Sequence, residues 1–510
     1  MRVVFGQSDE KRMFMKLPAE FTERLQLQLG SDGVSAYAES LEKNLSHALR
    51  VNRLKLDTEE FDRVSPFALR PVPWCENGFY YDADRDQPSR HPFYYAGLYY
   101  LQEPSATLPA ALLPVKPGNR VLDLCAAPGG KSTELAAKLA GKGFLLANDI
   151  SATRCKALIK NLELFGVRNA VVTAETPERL SARFPDFFDR ILIDAPCSGE
   201  GMFRKSQAMV NDWTKEKPTE YAALQREILD FAIKMLRPGG MILYSTCTFA
   251  PEEDEGSVQY LLTHPIAVEK NLHLVAVPEY PGFMPGHPEW IPDGMPELAK
   301  TVHLFPYLVE GEGHFAALFV SDIRDAENAS AALSETELDP DTENDPEAEC
   351  DLKVDFDPEE DRNNRLRIQK LCPEFAAFAE NMTRVPPAQE LKLKEGYLSW
   401  IASDIPDLKG LRVMRQGLYL GEVKKNRFEP SQALAMALSK DEFRNTISLS
   451  PADDRVIRYL KGETIFLTEE EEEITSDGWI LILIDRYPLG FGKLNRGSIK
   501  NRYLPGWRME

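Results

Sequence analysis

Residues 121–149, VLDLCAAPGGKSTELAAKLAGKGFLLAND, decide the fold. Branched and aliphatic residues over Val121–Cys125 read as a strand. Small residues and the pair Gly129-Gly130 then let the backbone approach a ligand closely before a helix-like stretch begins near Lys131. A second strand, Phe144–Asp149, ends in Asn148-Asp149 about 20 residues beyond the loop, where a carboxylate can accept both hydroxyls of a ribose. The loop matches neither GxGxxG nor GxxxxGK[ST], so dinucleotide and phosphate-cradle readings fail on spacing. Loop and acid together point to an adenosine-containing cofactor. Taken singly, each has a plainer reading: glycine for turn geometry, and the acid as a helix cap.

The alternation continues outward. Further strands are expected at Ala170–Ala174, Arg190–Asp194 and Met241–Thr246, with helices beginning near Ala152, Tyr221 and Glu252. This order implies an α/β, Rossmann-like, doubly wound parallel sheet whose ligands lie at the carboxyl ends of its strands. Two of those ends carry Asp194-Ala195-Pro196-Cys197-Ser198-Gly199 and Ser245-Thr246-Cys247-Thr248. Adjacent strands lie about 4.8 Å apart, so neighbouring ends would bring two thiols and a carboxylate together beside the cofactor crevice. A lone cysteine is more simply a small buried hydrophobe, which is the reading for Cys155 and Cys372.

Composition sets the wider bounds. The 510 residues are 43% hydrophobic and 27% charged, which describes a globular chain, and no apolar run approaches a membrane span. The first residues carry charges through every apolar stretch, so export is not expected. Seven cysteines without a CxxC pair fit a reducing cytoplasm, and no histidine spacing supports a metal site. The segment 322–361 carries 17 acidic residues against Arg324 and Lys353, hence 15 of the 20 net negative charges. It reads as a disordered acidic linker between an amino-terminal part and a carboxy-terminal part.

Several motifs occur in one order: DLCAAPGGK (123–131), NDISATRCKALIKNLELFG (148–166), DAPCSGEGMFRK (194–205), LRPGGMILYSTCTFAPEEDE (236–255) and GEGHFAALFV (311–320). With RVNRLK (50–55) and LQEPSA (101–106) upstream, this set resembles the Sun/Fmu family of RNA cytosine-5 methyltransferases, and within it the RsmF-type enzymes of ribosomal RNA. The resemblance implies S-adenosylmethionine as cofactor, held by Cys125, Ala126, Ala127, Pro128, Gly129, Gly130 and Lys131, with Asp149 on its ribose. It places Glu175, or alternatively Thr176, at the contact after the third strand, and Asp194 at the substrate end of the pocket. It makes Cys247 the nucleophile that adds to carbon 6 of cytosine, because carbon 5 is itself a poor nucleophile, and Cys197 the residue that assists product release. DNA enzymes carry their nucleophile in the fourth-strand turn, so Cys247 favours RNA over DNA. The target base must leave its stack to reach such a pocket. No metal is expected. The alternatives are a transfer RNA methyltransferase and a catalytically silent RNA-binding assembly factor.

The expected division is an extension at 1–14, an RNA-binding subdomain at 15–100, the methyltransferase domain at 101–321, the linker at 322–361, an accessory domain at 362–450 and a PUA-like domain at 451–510. Arg50, Arg53 and Lys55 could neutralise phosphates, and the aromatics Phe93, Tyr94, Tyr95, Tyr99 and Tyr100 could stack bases, although core filling is favoured for most of the rings. Lys409, Arg412, Arg415, Lys424, Lys425 and Arg427 suggest one basic face. A second combines Arg486, Lys493, Arg496, Lys500, Arg502 and Arg508 with Tyr487, Phe491, Tyr503 and Trp507. Glu469–Glu473 reads as a solvent loop. The expected partner is small-subunit ribosomal RNA or the subunit itself, bound by a monomer, without DNA or membrane.

Overall fold

The computed structural model describes residues 17–205, 207–322 and 358–509. The expected extension and nearly all of the expected linker lie outside them. A helix at Ala19–Leu41 precedes a four-stranded antiparallel sheet of β1 (Ala48–Val51), β2 (Arg70–Val72), β3 (Cys75–Tyr80) and β4 (Tyr99–Gln102), in the order β2-β3-β1-β4.

The central sheet is built on β5 (Arg120–Asp123), β6 (Phe144–Asn148), β7 (Ala170–Thr173), β8 (Phe188–Asp194) and β9 (Leu236–Thr246), parallel and ordered β7-β6-β5-β8-β9. Alternate residues serve opposite faces. Leu122, Phe144, Leu146, Ile191 and Ile193 join one apolar cluster, whereas Val121, Leu145, Ala147 and Leu192 join the other. Helices at Gly130–Leu139, Arg154–Phe165, Pro177–Arg183, Lys217–Met235 and Glu255–Thr263 follow successive strands. The chain moves outward from β5 to β7 and returns to β8 on the other side, so the ligand crevice falls between β5 and β8. Strands β8 and β9 begin earlier than expected from the sequence. The β8–β9 pairing shifts register between Phe188 and Arg190, where the Arg237-Pro238-Gly239-Gly240 stretch, with Gly239 at a φ of +75°, bulges out of the ladder and hides the start of β9 in the sequence.

Strands β10 (Leu272–Val275), β11 (Phe283–Pro285), β12 (Val302–Leu304) and β13 (His314–Ser321) extend this sheet antiparallel beyond β9, with β13 against β9 and β12 against β13. The alternating pattern of the sequence does not anticipate them.

Helices Pro358–Leu371 and Pro373–Ala379 open the carboxy-terminal part. The first begins inside the stretch read as linker. Proline followed by Glu359, Glu360 and Asp361 is a helix start, because acids complement the dipole of the first turn. The next strands are β14 (Leu391–Lys394), β15 (Tyr397–Trp400), β16 (Val413–Gln416), β17 (Leu418–Lys424) and β18 (Arg427–Pro430). Four of them form a sheet ordered β14-β15-β17-β18, but β16 leaves it and pairs antiparallel with β7. The accessory region therefore supplies the last strand of the methyltransferase sheet and covers an edge that would otherwise expose unpaired backbone.

Strands β19 (Thr446–Leu449), β20 (Ile465–Phe466), β21 (Gly478–Ile484), β22 (Tyr487–Asn495) and β23 (Ser498–Asn501) form the final sheet, ordered β19-β21-β22-β23-β20. Its core is continuous with the amino-terminal sheet. Leu49, Val51, Phe61, Phe93 and Tyr99 share one cluster with Ile447, Tyr459, Ile480, Tyr487, Tyr503 and Trp507. The run at 469–473 is helical, Glu469–Ile474, rather than a loop. Thr468 and Glu471 cap it reciprocally, and its acids sit in the first turn where the dipole favours them.

Candidate active site

The loop Cys125–Lys131 leaves β5 and enters the helix Gly130–Leu139 through Gly129, whose φ of +113° suits glycine. A side chain at Gly130 would press on the Tyr100 ring, so the loop also needs glycine for packing. The second strand holds the loop from one side. The Ala126 N–H donates to the Asn148 carbonyl at 2.7 Å, and Arg154 donates to the Ala127 carbonyl at 2.6 Å while standing 3.2 Å from Asp149. Asp149 is buried, and its Oδ1 accepts the Ser151 N–H at 2.9 Å. Beneath the loop, Asp123 accepts the Ser132 hydroxyl through Oδ2, whereas Oδ1 is buried without a hydrogen-bond partner. Burial pushes this carboxyl up to about 7. The donors and acceptors fit S-adenosylmethionine: loop amides at a helix start for a carboxylate, Asp149 for ribose hydroxyls, and an unpaired acceptor on Asp123.

The substrate side is assembled by the parallel register of β8 and β9, which places Asp194 opposite Ser245. The Ser245 hydroxyl donates to Asp194 at 3.0 Å. Just beyond, the sulfurs of Cys197 and Cys247 lie 3.2 Å apart, and the Cys247 N–H donates to the Cys197 sulfur at 3.3 Å. Both thiols are half-buried. The adjacent turns are pinned by the Ser198 and Thr248 hydroxyls at 2.7 Å, and by the Gly201 N–H on the Cys247 carbonyl at 2.9 Å. The Cys247 sulfur and burial together hold the Cys197 thiol well above its usual range. Cys197 therefore stays protonated beside Cys247.

Lys131 joins the two sides, its Nζ 2.8 Å from Asp194 Oδ2. His314, on β13, stands 3.5 Å from Asp194 Oδ1. Burial works to raise the Asp194 carboxyl, but Lys131 and His314 override it and hold the group well below the carboxylate range. Asp123 and His314 were not singled out in the sequence, although both lie within the quoted motifs, because neither is separable from its strand until the partner is seen.

Other expectations change. Glu175 is buried, and its carboxylate accepts the Arg412 N–H of the accessory region and pairs with Arg179 at 3.3 Å. Arg50 is no phosphate ligand: it is buried, ion-paired with Glu134, and bonded to the Gly130 carbonyl and the Thr133 hydroxyl at 2.7 Å each. Arg53 pairs with Glu134 and Glu76 at 2.9 Å. Lys55 donates to the carbonyls of Ala96 and Leu164, and burial pulls it down to about 7. Phe93 and Tyr99 are core residues, the reading favoured for most of those rings; Tyr487, Phe491, Tyr503 and Trp507, read with the second basic face as suited to RNA, are core residues too. Three of the six cations of the first basic face are neutralised in place, whereas Lys409, Arg412 and Lys425 are exposed. Arg415 pairs with Glu163, Lys424 with Glu422 and Glu429, and Arg427 with Glu429. In the second, Arg486 pairs with Glu60, but Lys493, Arg496, Lys500, Arg502 and Arg508 are exposed.

Sequence comparison agrees with this architecture. Residues 110–320 match the family described as 16S rRNA methyltransferase RsmB/F, and residues 17–104 match the N-terminal domain of 16S rRNA methyltransferase RsmF. The RsmF first C-terminal domain matches at 377–438 and the methyltransferase RsmF PUA domain at 446–509. Ribosomal RNA small subunit methyltransferase F of Shigella boydii serotype 4 is 31% identical over 481 residues, 91% of this chain and 90% of the relative. The protein of that name from Escherichia coli strain K12 is 30% identical over 480 residues, with the same coverage of both chains. Among solved structures, a methyltransferase homolog protein from Pyrococcus horikoshii superposes with a TM-score of 0.53 at 28% identity, over 60% of this chain and 96% of that one. By sequence along nearly its whole length and by the order of its domains, the chain belongs to the ribosomal RNA small subunit methyltransferase F family of S-adenosylmethionine-dependent RNA methyltransferases.

Proposed function

We propose that the protein methylates carbon 5 of a cytosine in 16S ribosomal RNA, working in the cytoplasm as a monomer on RNA of the small ribosomal subunit. The pair of sulfurs 3.2 Å apart, with Asp194 at the adjoining strand end, carries this reading. The loop Cys125–Lys131 and Asp149 would hold S-adenosylmethionine, which when bound would supply an electrophilic methyl group. Lys131 orients Asp194 between cofactor loop and substrate.

Cys247 performs the covalent step. Its sulfur bonds to carbon 6 of the flipped base, and the electrons of the 5,6 double bond make carbon 5 nucleophilic. Ring N3 takes up the proton that the thiol gives up, and the Asp194 carboxylate, ionised at neutral pH, accepts a hydrogen bond from that protonated edge. Once carbon 5 carries the methyl group, Cys197 beside the adduct assists transfer of the carbon-5 hydrogen as a proton to solvent, and the electron pair of that C–H bond restores the 5,6 double bond and expels the Cys247 sulfur from carbon 6. Two free thiols this close remain thiols only where the surroundings are reducing, which supports the cytoplasm. No helix among the described residues is long and apolar enough to cross a membrane.

The test uses full-length protein, labelled S-adenosylmethionine and three substrates: small subunits, naked 16S RNA and transfer RNA. Label in a cytosine of 16S RNA is expected, and Cys247→Ala should lower incorporation on the order of 10⁴-fold or more. Cys197→Ala should leave protein attached to RNA through denaturing electrophoresis. Normal transfer by Cys247→Ala would overturn the mechanism, and label confined to transfer RNA would overturn the substrate.

A further inference from the structure

Outside the crevice, three ionisable side chains meet in the core. Asp254 and Glu255, at the start of the helix Glu255–Thr263, face His303 on β12, and all three are fully buried. Each has one buried atom with no hydrogen-bond partner: Asp254 Oδ2, Glu255 Oε2 and His303 Nδ1. The remaining atoms are engaged. Asp254 Oδ1 accepts the Thr246 hydroxyl at 2.6 Å. Glu255 Oε1 accepts the His287 N–H at 3.0 Å and lies 2.7 Å from His303 Nε2.

That last interaction fixes the imidazole. The Glu255 carboxylate accepts a hydrogen bond from Nε2, and Nδ1 is buried without a partner. Nδ1 then points toward Asp254 Oδ2 at 3.9 Å, a distance too long for a hydrogen bond between them. One ligand atom from each of the three residues can be chosen so that all lie within 4.8 Å of one another. A zinc-class ion takes nitrogen and oxygen ligands at about 2.0–2.2 Å, so atoms 3.9 Å apart can share one from opposite sides. Pairing points the same way: three buried polar atoms without a hydrogen-bond partner belong to one cluster, and a single ion could satisfy them. A second carboxylate oxygen that orients a metal-binding imidazole is a recurring arrangement at such sites.

We propose that Asp254, Glu255 and His303 form a structural site for one divalent transition ion of the zinc class, separate from the methyl-transfer crevice. Its place in the fold gives it a task. Thr246, the neighbour of Cys247, is tied to Asp254, while His303 belongs to β12, so the ion fastens the end of β9 to the antiparallel extension of the sheet. The site is walled by Trp290, Phe305 and Phe315, whose ring centroids lie 4.7–5.8 Å from that of His303.

The experiment is elemental mass spectrometry on untagged full-length protein, folded with zinc and then exchanged into metal-free buffer, together with thermal melting after refolding with or without a strong chelator. About one zinc per chain is expected. The wild type should melt lower after refolding with chelator, and cobalt in place of zinc should give visible d–d absorption bands. Asp254→Asn and His303→Gln should lose the equivalent of metal. If neither variant folds, the metal content of the wild type decides alone. No stoichiometric ion after folding with zinc, cobalt, manganese or nickel would overturn the proposal. So would an Asp254→Asn protein melting at or above the wild type, since that outcome identifies a shared proton as what the cluster holds.

Discussion

The crevice between β5 and β8 and the basic segments flanking the methyltransferase domain were read from the same kinds of residue, with different outcomes. In the crevice, Asp149, Asp194, Cys197 and Cys247 stand at or just beyond the carboxyl ends of a parallel sheet; Lys131 reaches Asp194 from the adjoining helix, and Cys197 meets Cys247. In the flanks, Arg50, Arg53, Lys55, Arg415 and Arg486 looked equally available to a polyanion, yet each is spent on a carboxylate or on backbone carbonyls of its own chain. Periodicity fixes which strand ends are neighbours, and so it fixes contacts within the sheet. A surface-type cation carries no such index of its partner.

The largest effect expected from this contrast is at Arg50. It is fully buried in the ion pair with Glu134 and also holds the Gly130 carbonyl of the cofactor loop. Arg50→Ala leaves a buried carboxylate uncompensated and should cost about 3–5 kcal/mol in denaturant unfolding, with Tm falling accordingly. Loss of RNA affinity without loss of stability would restore Arg50 to the RNA-binding reading. The same pair sets an acid dependence. Burial works to raise Glu134, but Arg50 and Arg53 outweigh it and hold the carboxyl at about 2. Its folded pKa lies below its unfolded value, so its contribution is complete above the ordinary carboxylate range and is lost as pH falls toward about 2. Glu134→Gln should flatten the stability curve in that interval, as read by melting at successive pH values.

Next in size is Asp194. Asp194→Asn keeps the shape but removes the charge that Lys131 and His314 are arranged around. Turnover should fall roughly 10²–10³-fold, as when one positioned stabilising group is lost. Melting temperature should fall less than in Arg50→Ala, because the group is partly open to the crevice, where solvent screens its pairing with Lys131. A fall in stability as large as that of Arg50→Ala would mean that the two regions do not differ in kind.

These contrasts also show where sequence was informative. The five parallel strands were legible because a sheet buried on both faces demands continuous apolar runs, and each run here ends in a residue that cannot continue it. Strand β16 was not legible. Val413–Gln416 looks like any short strand of a small domain, and nothing local says that it pairs with Thr173 and Val171, some 240 residues earlier. Asp123 and His314 were hidden for a related reason, since a polar residue within a strand acquires meaning only when the neighbouring strand supplies its partner. The rings of Tyr487, Phe491, Tyr503 and Trp507 alternate with charges as a base-stacking surface would, but the same alternation is what a strand with one buried face requires.

The smallest effect sharpens the comparison from the other side. Lys493, Lys500 and Arg502, near the end of the chain, are exposed, and none stands in an ion pair with a carboxylate among the described residues. They lie on β22, on β23 and just beyond it, where β22 and β23 pair Lys493 with Lys500 directly. Two like charges opposite each other on an exposed face are mildly unfavourable in the free protein and favourable once a phosphate lies between them. Replacing both lysines by alanine should leave stability within about 0.5 kcal/mol of the wild type. RNA affinity should weaken several-fold at moderate salt, and the slope of log affinity against log salt should flatten by about 1 for each phosphate that is no longer neutralised. Equal RNA binding by the variant at every salt concentration would place the RNA elsewhere, and the carboxy-terminal sheet would then act through its shared core with the amino-terminal sheet rather than through its charge.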